Sequence, residues 1–219
     1  MNVAVTRPPD RLLRTVEERL VPAHTALLVI DMQNDFCAEH GYIQEIVGKD
    51  AAACRAVVAP IMALVKEARA GAVPVFWVRA NYDLDKLPAG MAIRFGPQGK
   101  GRICCGTGTW GGEFYGVEPA AGEAVIVKHC FSGFMGTDLD TRLRTLAIRS
   151  LVFAGVQTNI CVEATLRDGL ARGFHTIIAT DCVASHTAEL HDATIKNVRL
   201  AMGDALTAAE IGALWRAGA

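Results

Sequence analysis

Apolar residues in this chain fall into short, unbroken runs. They occupy Thr25–Ile30, Val73–Val78, Ala124–Val127, Leu151–Gly155 and His175–Thr180. None alternates apolar with polar residues. A strand covered on both faces reads this way, which is the habit of parallel sheets. Between the runs the spacing turns helical. Pro60 sits in the first turn of a segment carrying Ile61, Met62, Leu64, Val65 and Ala68, closed by Gly71. Thr137 or Asp138 caps a second helix with Leu139, Leu143 and Leu146 turned inward. Val162, Thr165, Leu166 and Leu170 mark a third, ended by Gly173. A helix over 188–202, a short strand over 204–206 and a last helix over 207–217 complete the pattern. Strand followed by helix, repeated at this spacing, predicts an α/β fold. The expected form is a doubly wound, mostly parallel, Rossmann-like sheet of about six strands with helices on both faces.

Three stretches fall outside that rhythm. Residues 1–24 form an N-terminal arm, in which Asp10 caps a helix with Leu12, Leu13, Val16 and Leu20 on one side and Pro22 stops it. A subunit-interface arm and a helix folded onto its own domain both fit. Residues 25–219 read as one domain, with a loop over 37–49. The segment Asn81–Gly122 is glycine-rich and has no clear period. Structureless connections of that length are usually functional. It is expected to form pocket wall and subunit interface, and with it a homo-oligomer, a dimer or tetramer.

Composition narrows the function. A formal net charge of −1 over 219 residues supplies no field to gather nucleic acid or an anionic membrane. No apolar run approaches the roughly 18 residues of a membrane span. The first ten residues do not resemble a secretory signal. Seven cysteines, an odd number without a C-x-x-C pair, suit a reducing compartment, so a cytoplasmic protein is expected. The six histidines show no metal-ligand spacing.

The candidate chemistry lies at strand ends. Asp31 follows the first strand, Lys128 the third, and Cys161 opens the helix after the fourth. Each is commonplace alone: free cysteines mostly fill cores, and strand-end lysines are mostly solvated. In a parallel sheet, however, all carboxyl ends face one edge, where such folds place their ligands. A thiol at a helix start is expected to have a lowered pKa. A nearby ammonium stabilises its thiolate, and an acid beside it can take the thiol proton and return it to a leaving amine.

Three ordered segments carry a resemblance. They are Asp31-Met32-Gln33-Asn34-Asp35-Phe36, Lys128 followed by Ser132-Gly133-Phe134, and Gly155-Val156-Gln157-Thr158-Asn159-Ile160-Cys161-Val162. Together they resemble the isochorismatase-like cysteine hydrolases, over residues 25–205 or so. The resemblance implies a catalytic triad of Asp31 as general base and acid, Lys128 as electrostatic partner and Cys161 as nucleophile. It also implies a cis peptide bond at Val156–Gln157, with the N–H groups of Gln157 and Cys161 forming an oxyanion hole. Isochorismatases that act on an enol ether lack the nucleophilic cysteine, so Cys161 argues for amide hydrolysis. Nicotinamidases of the family carry a metal site built on Asp-x-His. Asp83-Leu84-Asp85 has no histidine near it, so neither metal nor cofactor is expected. The similarity is greatest to members that cleave ureido or carbamoyl substrates: the ureidoacrylate, N-carbamoylsarcosine, biuret and triuret amidohydrolases. Phe131 departs from the tyrosine of some of these. Phe36, Asn81, Tyr82, Trp110 and Phe131 are the candidate substrate contacts. The expected activity is cleavage of a C–N bond in a small linear ureide or carbamoyl amide through a thioester, releasing ammonia. Hydrolysis of a monoamide such as maleamate or nicotinamide, and a non-catalytic binding protein on the same fold, are the alternatives.

Overall fold

The structure, a computed structural model, describes residues 12–95 and 102–218. Six strands form its sheet: β1 (Thr25–Ile30), β2 (Val75–Ala80), β3 (Ala124–Lys128), β4 (Ser150–Val156), β5 (His175–Ala184) and β6 (Asp204–Leu206). They lie in the order β3-β2-β1-β4-β5-β6, and every pairing is parallel. The chain therefore winds outward from β1 in both directions. That reversal between β1 and β4 opens a crevice at their carboxyl ends.

The helices among the described residues are α1 (Val16–Arg19), α2 (Asn34–Cys37), α3 (Ala52–Ala56), α4 (Val58–Ala70), α5 (Ala89–Phe95), α6 (Leu139–Thr145), α7 (Glu163–Ala171), α8 (Ala188–Asn197) and α9 (Ala208–Ala217). β1 shows why its run is unbroken. Leu27 and Val29 point into one core, with Ile61 and Leu64 of α4 and Ile211 and Trp215 of α9. Ala26, Leu28 and Ile30 point into the other, with Leu139 of α6, Leu166 of α7 and Ile195 of α8. No residue of β1 is more than 1% exposed, so polar side chains have no solvated face to occupy. No helix among the described residues is long and apolar enough to cross a membrane.

Several local expectations are corrected. β2 begins at Val75, not Val73. Pro74 has no N–H for the ladder, and the Val73 N–H closes α4 by donating to the Ala68 carbonyl. Leu146 is half-exposed because α6 ends at Thr145 and Ala147 turns the chain at φ +54°. Leu170 is also exposed. The buried stripe of α7 runs Val162, Thr165, Leu166 and then Gly169, which lets the helix approach Leu151 and Phe153 of β4 closely. Cys182 lies inside β5, not in an exit loop, because the strand continues to Ala184. The stretch over 37–49 contains a wide helical turn, Ile43–Val47, ended by Gly48 at φ +71°. Within 81–122 the structure forms α5 and a tight turn at Trp110–Gly112; residues 96–101 lie outside the described residues. The cap expected at Asp10 lies there too. α1 is instead capped by the Thr15 hydroxyl, with Glu18 reaching back in a capping box, and Leu20 is buried in the core beside β1.

Candidate active site

The carboxyl edge of the sheet brings three of the expected side chains together. Asp31 is the residue immediately after β1. Its backbone takes φ +53°, a left-handed turn, while its N–H still donates to the Val78 carbonyl at 2.8 Å. Lys128 ends β3 in register with Ala80 of β2, and its carbonyl accepts from the Asn81 N–H. Cys161 follows β4 through the turn Thr158–Val162, where the Val162 N–H reaches back five residues to the Gln157 carbonyl. The Val156–Gln157 peptide bond is cis. Gly155 makes the junction possible. It pairs with Ile30 at φ +112°, and a Cβ there would lie 2.0 Å from the Ile30 carbonyl oxygen.

All three side chains are buried. Lys128 Nζ stands 2.9 Å from Asp31 Oδ2, donates to the Cys130 carbonyl at 3.0 Å and to the Tyr82 hydroxyl at 3.4 Å. Burial pushes the Asp31 carboxyl up, and the Lys128 ammonium pulls it part of the way back. Burial opposes the Lys128 charge, but Asp31 and the Cys161 sulfur outweigh it, so its pKa is raised. The thiol differs from the sequence expectation. Burial, followed by the Asp31 charge, pushes Cys161 up to about 12. Cys161 sits in a wide turn ahead of α7 and not at the α-helix start, and the nearest formal charge acting against its ionisation is a carboxylate. The 2.9 Å contact with the ammonium favours the ionised form of Asp31, and burial favours the neutral thiol, so the arrangement suits a carboxylate–ammonium pair beside a protonated sulfur. Its two charges cancel within a buried space, which limits the desolvation that separate charges would suffer.

The segment after Asp31 holds the walls. Gln33 accepts from the Ala80 N–H at 2.7 Å, and its amide nitrogen donates to the carbonyls of Ala80 and Gly112 at 3.0 and 2.9 Å. Asn34 donates to the Trp110 carbonyl at 2.8 Å. Asp35 is a buried anchor. It accepts from the N–H groups of Cys105 and Tyr42 and pairs with the Arg102 guanidinium. This is more than the turn cap that its place after Asp31 suggests. On the opposite side, Thr165 accepts from the Gly133 N–H and donates to the Cys161 carbonyl, and Ser132 donates to Asp168 at 2.5 Å. The Ser132-Gly133-Phe134 turn is thereby fastened to α7 beside the nucleophile candidate.

The five candidate substrate contacts divide. Tyr82 lies in the constellation, its hydroxyl 3.6 Å from Cys161 Sγ, and Phe36 meets its ring edge-on at 6.4 Å between centroids. Asn81 is occupied by the loop: its amide donates to Thr107, and its Oδ1 accepts from the Asp83 N–H. Trp110 is 49% exposed on its turn, and Phe131 packs against the second core. Gln33, Thr165 and the Gln157 side chain, which accepts from the His186 N–H, are positioning residues that sequence reasoning did not single out. Their signal was present only as membership of the three ordered segments and of the α7 stripe. Among the described residues, Asp35, Cys104 and Cys105 form the one group close enough to share an ion. The Asp35 oxygens are already taken by two N–H groups and a guanidinium, so that donor set does not suit a cation.

Comparison with known proteins agrees with this fold. The structure superposes on a cysteine hydrolase from Pseudomonas syringae pv. phaseolicola with a TM-score of 0.82, covering 98% of this chain and all of that one; at 24% identity the likeness is one of fold. An N-carbamoylsarcosine amidase from Thermoplasma acidophilum matches with a TM-score of 0.67 and 29% identity over 84% of this chain and 96% of its own. A ureidoacrylate amidohydrolase from Methylorubrum extorquens is 35% identical, across 82% of this chain and 77% of that protein. The isochorismatase domain model matches residues 25–210. The chain belongs to the isochorismatase family of hydrolases.

Proposed function

We propose that this protein hydrolyses the C–N bond of a small linear ureide or carbamoyl amide through a Cys161 thioester, releasing ammonia. The observation that carries the reading is the buried Lys128–Asp31 pair set against a neutral Cys161 thiol. A carboxylate held ionised beside a thiol is a base waiting for the thiol proton. In the first step Asp31 takes that proton as the sulfur attacks the carbonyl carbon. The oxyanion rests on the N–H groups of Gln157 and Cys161. Asp31 returns the proton to the departing nitrogen, and ammonia leaves. Water, deprotonated by Asp31, then opens the thioester and regenerates the thiol. Lys128 keeps Asp31 ionised between proton transfers. The amide class follows from similarity to proteins named for ureidoacrylate and N-carbamoylsarcosine.

The test is ammonia release from biuret, triuret, ureidoacrylate, N-carbamoylsarcosine, maleamate and nicotinamide. Turnover of at least one ureido or carbamoyl compound, lost in Cys161→Ala and Cys161→Ser, is expected. A mass shift at Cys161 in acid-quenched single turnovers identifies the thioester. Turnover confined to maleamate or nicotinamide overturns the substrate class, and full turnover by Cys161→Ala overturns the mechanism. The reading includes a cytoplasmic homo-oligomer, supported by the half-exposed Val125 and Val127 on edge strand β3; light scattering gives the molar mass that checks it.

A further inference from the structure

Tyr82 follows β2 by two residues and is buried at 2% exposure. Lys128 Nζ lies 5.5 Å from the centre of its ring, within reach of a cation–π contact. Its hydroxyl stands between two members of the triad, 3.4 Å from Lys128 Nζ and 3.6 Å from Cys161 Sγ. The direction of the Lys128 bond is fixed. An ammonium only donates, so the phenol oxygen accepts from Lys128. At 3.6 Å the phenol O–H can donate to the sulfur, and its hydrogen bond works to lower the Cys161 pKa. Burial and the neighbouring sulfur hold the Tyr82 phenol well above the ordinary tyrosine range, so it stays a neutral donor.

We infer that the Tyr82 hydroxyl is a catalytic hydrogen-bond donor to Cys161, steadying the sulfur while Asp31 removes the proton from it. The role deepens the reaction proposed above and rests on Cys161 being its nucleophile. During attack the thiol proton moves to Asp31 and the sulfur electron pair forms the C–S bond. Tyr82 keeps its own proton throughout. When the thioester is opened, the C–S bond breaks and its electron pair returns to the sulfur, where the same O–H stabilises the leaving thiolate before Asp31 reprotonates it. The Tyr82 O–H and the Lys128 ammonium act on the sulfur side by side, and together they oppose the Asp31 charge as negative charge develops there.

The variant is Tyr82→Phe, which keeps the ring against Phe36 and beneath Lys128 and removes only the hydroxyl. The first readout is alkylation of Cys161 by iodoacetamide, followed by peptide mass spectrometry between pH 7 and 9. It needs no substrate. The expected result is a rate about tenfold lower at each pH, equivalent to one unit in thiol acidity. With the substrate found by the amide panel, kcat falls about tenfold or more while KM stays within about twofold. A second variant carries 3-fluorotyrosine at position 82, whose hydroxyl is a stronger donor; alkylation then runs faster than in the native protein. An unchanged alkylation rate in a Tyr82→Phe protein with native thermal stability overturns the inference, as does an unchanged rate with fluorotyrosine if Tyr82→Phe does not fold. Altered alkylation without ammonia from any amide leaves the donor role standing and removes the substrate class instead.

Discussion

Replacing Lys128 with Met tests the charge balance of the site directly. The side chains are similar in length, so the change removes the ammonium and leaves the volume nearly filled. Asp31 is then a fully buried carboxylate with no counter-charge. Losing one partner of a buried pair costs about 3–5 kcal/mol. Asp31 has an escape, because burial already pushes its pKa up and Lys128 was the force pulling it back. In the variant it takes a proton at a higher pH than in the native protein. The sign of the pH effect follows. Between the ordinary carboxylate pKa of the unfolded chain and the raised value of the folded one, the folded state holds a proton that the unfolded state has lost. Stability therefore falls as pH rises through that window, by up to about 1.4 kcal/mol per unit. Over pH 5 to 7 the variant can lose up to about 2.7 kcal/mol more than the native protein. Lys128 itself adds no slope there. Its raised pKa gives a contribution fully present below about 10.5 and lost only as pH climbs through the folded value. Urea unfolding followed by circular dichroism at pH 5, 6 and 7 measures the difference. Asp31→Asn combined with Lys128→Met leaves no orphaned charge, so the pair is expected to recover most of the loss and to show no added slope. A single variant equally destabilised at all three pH values, or a double variant no better than the single, refutes the account.

Two further outcomes follow from the same edge of the sheet. Gly155→Ala places a methyl 2.0 Å from the Ile30 carbonyl at a φ of +112°, so a loss of at least about 4 kcal/mol or failure to fold is expected, read by urea unfolding or soluble yield. The pH profile of kcat/KM is expected to fall on the acid side as Asp31 takes a proton, with one-proton slope and a midpoint above 3.8, since burial raises that carboxyl. A rate that climbs tenfold per unit between pH 8 and 9 would instead mean that the thiol, pushed up to about 12, must first ionise to solvent, and that Asp31 does not take its proton during attack.

Much of this was legible in the chain, for reasons that can be given residue by residue. Strands buried on both faces leave unbroken apolar runs, so β1 and β4 stand out in Thr25–Ile30 and Leu151–Gly155. The residues that end them are polar because the chain emerges at the crevice, which is why Asp31, Lys128 and Cys161 can be found by position. The α7 stripe was misread at Leu170 because Gly169 carries no apolar side chain to mark the face it presents. The 81–122 segment was opaque because its order comes from distant partners. Gln33, Asn34 and Asp35 hold it by hydrogen bonds spanning up to 79 positions, and no local period records them. The thiol acidity was misjudged for a related reason. Helix-start proximity is local and visible in sequence, whereas burial against a carboxylate from β1 exists only once the sheet has formed.

That last difference changes the chemistry that the site is suited to perform. A preformed thiolate beside Asp31 would place two negative charges against one ammonium in a space that excludes water. The neutral thiol keeps the count at one of each. Attack on a carbonyl then transfers the proton to Asp31 as negative charge passes from carboxylate, through sulfur, to the developing oxyanion, so the net charge of the buried site is the same before and after. Lys128 contacts Asp31 and acts on the Cys161 sulfur both directly and beside the Tyr82 hydroxyl. An arrangement of this kind favours substrates whose reacting centre is neutral at rest, because a charged group pressed against the pair would upset a balance that burial makes costly to break. The terminal nitrogen of a ureide or carbamoyl amide meets that condition, since its lone pair is delocalised into the carbonyl and it accepts a proton only as the C–N bond begins to part.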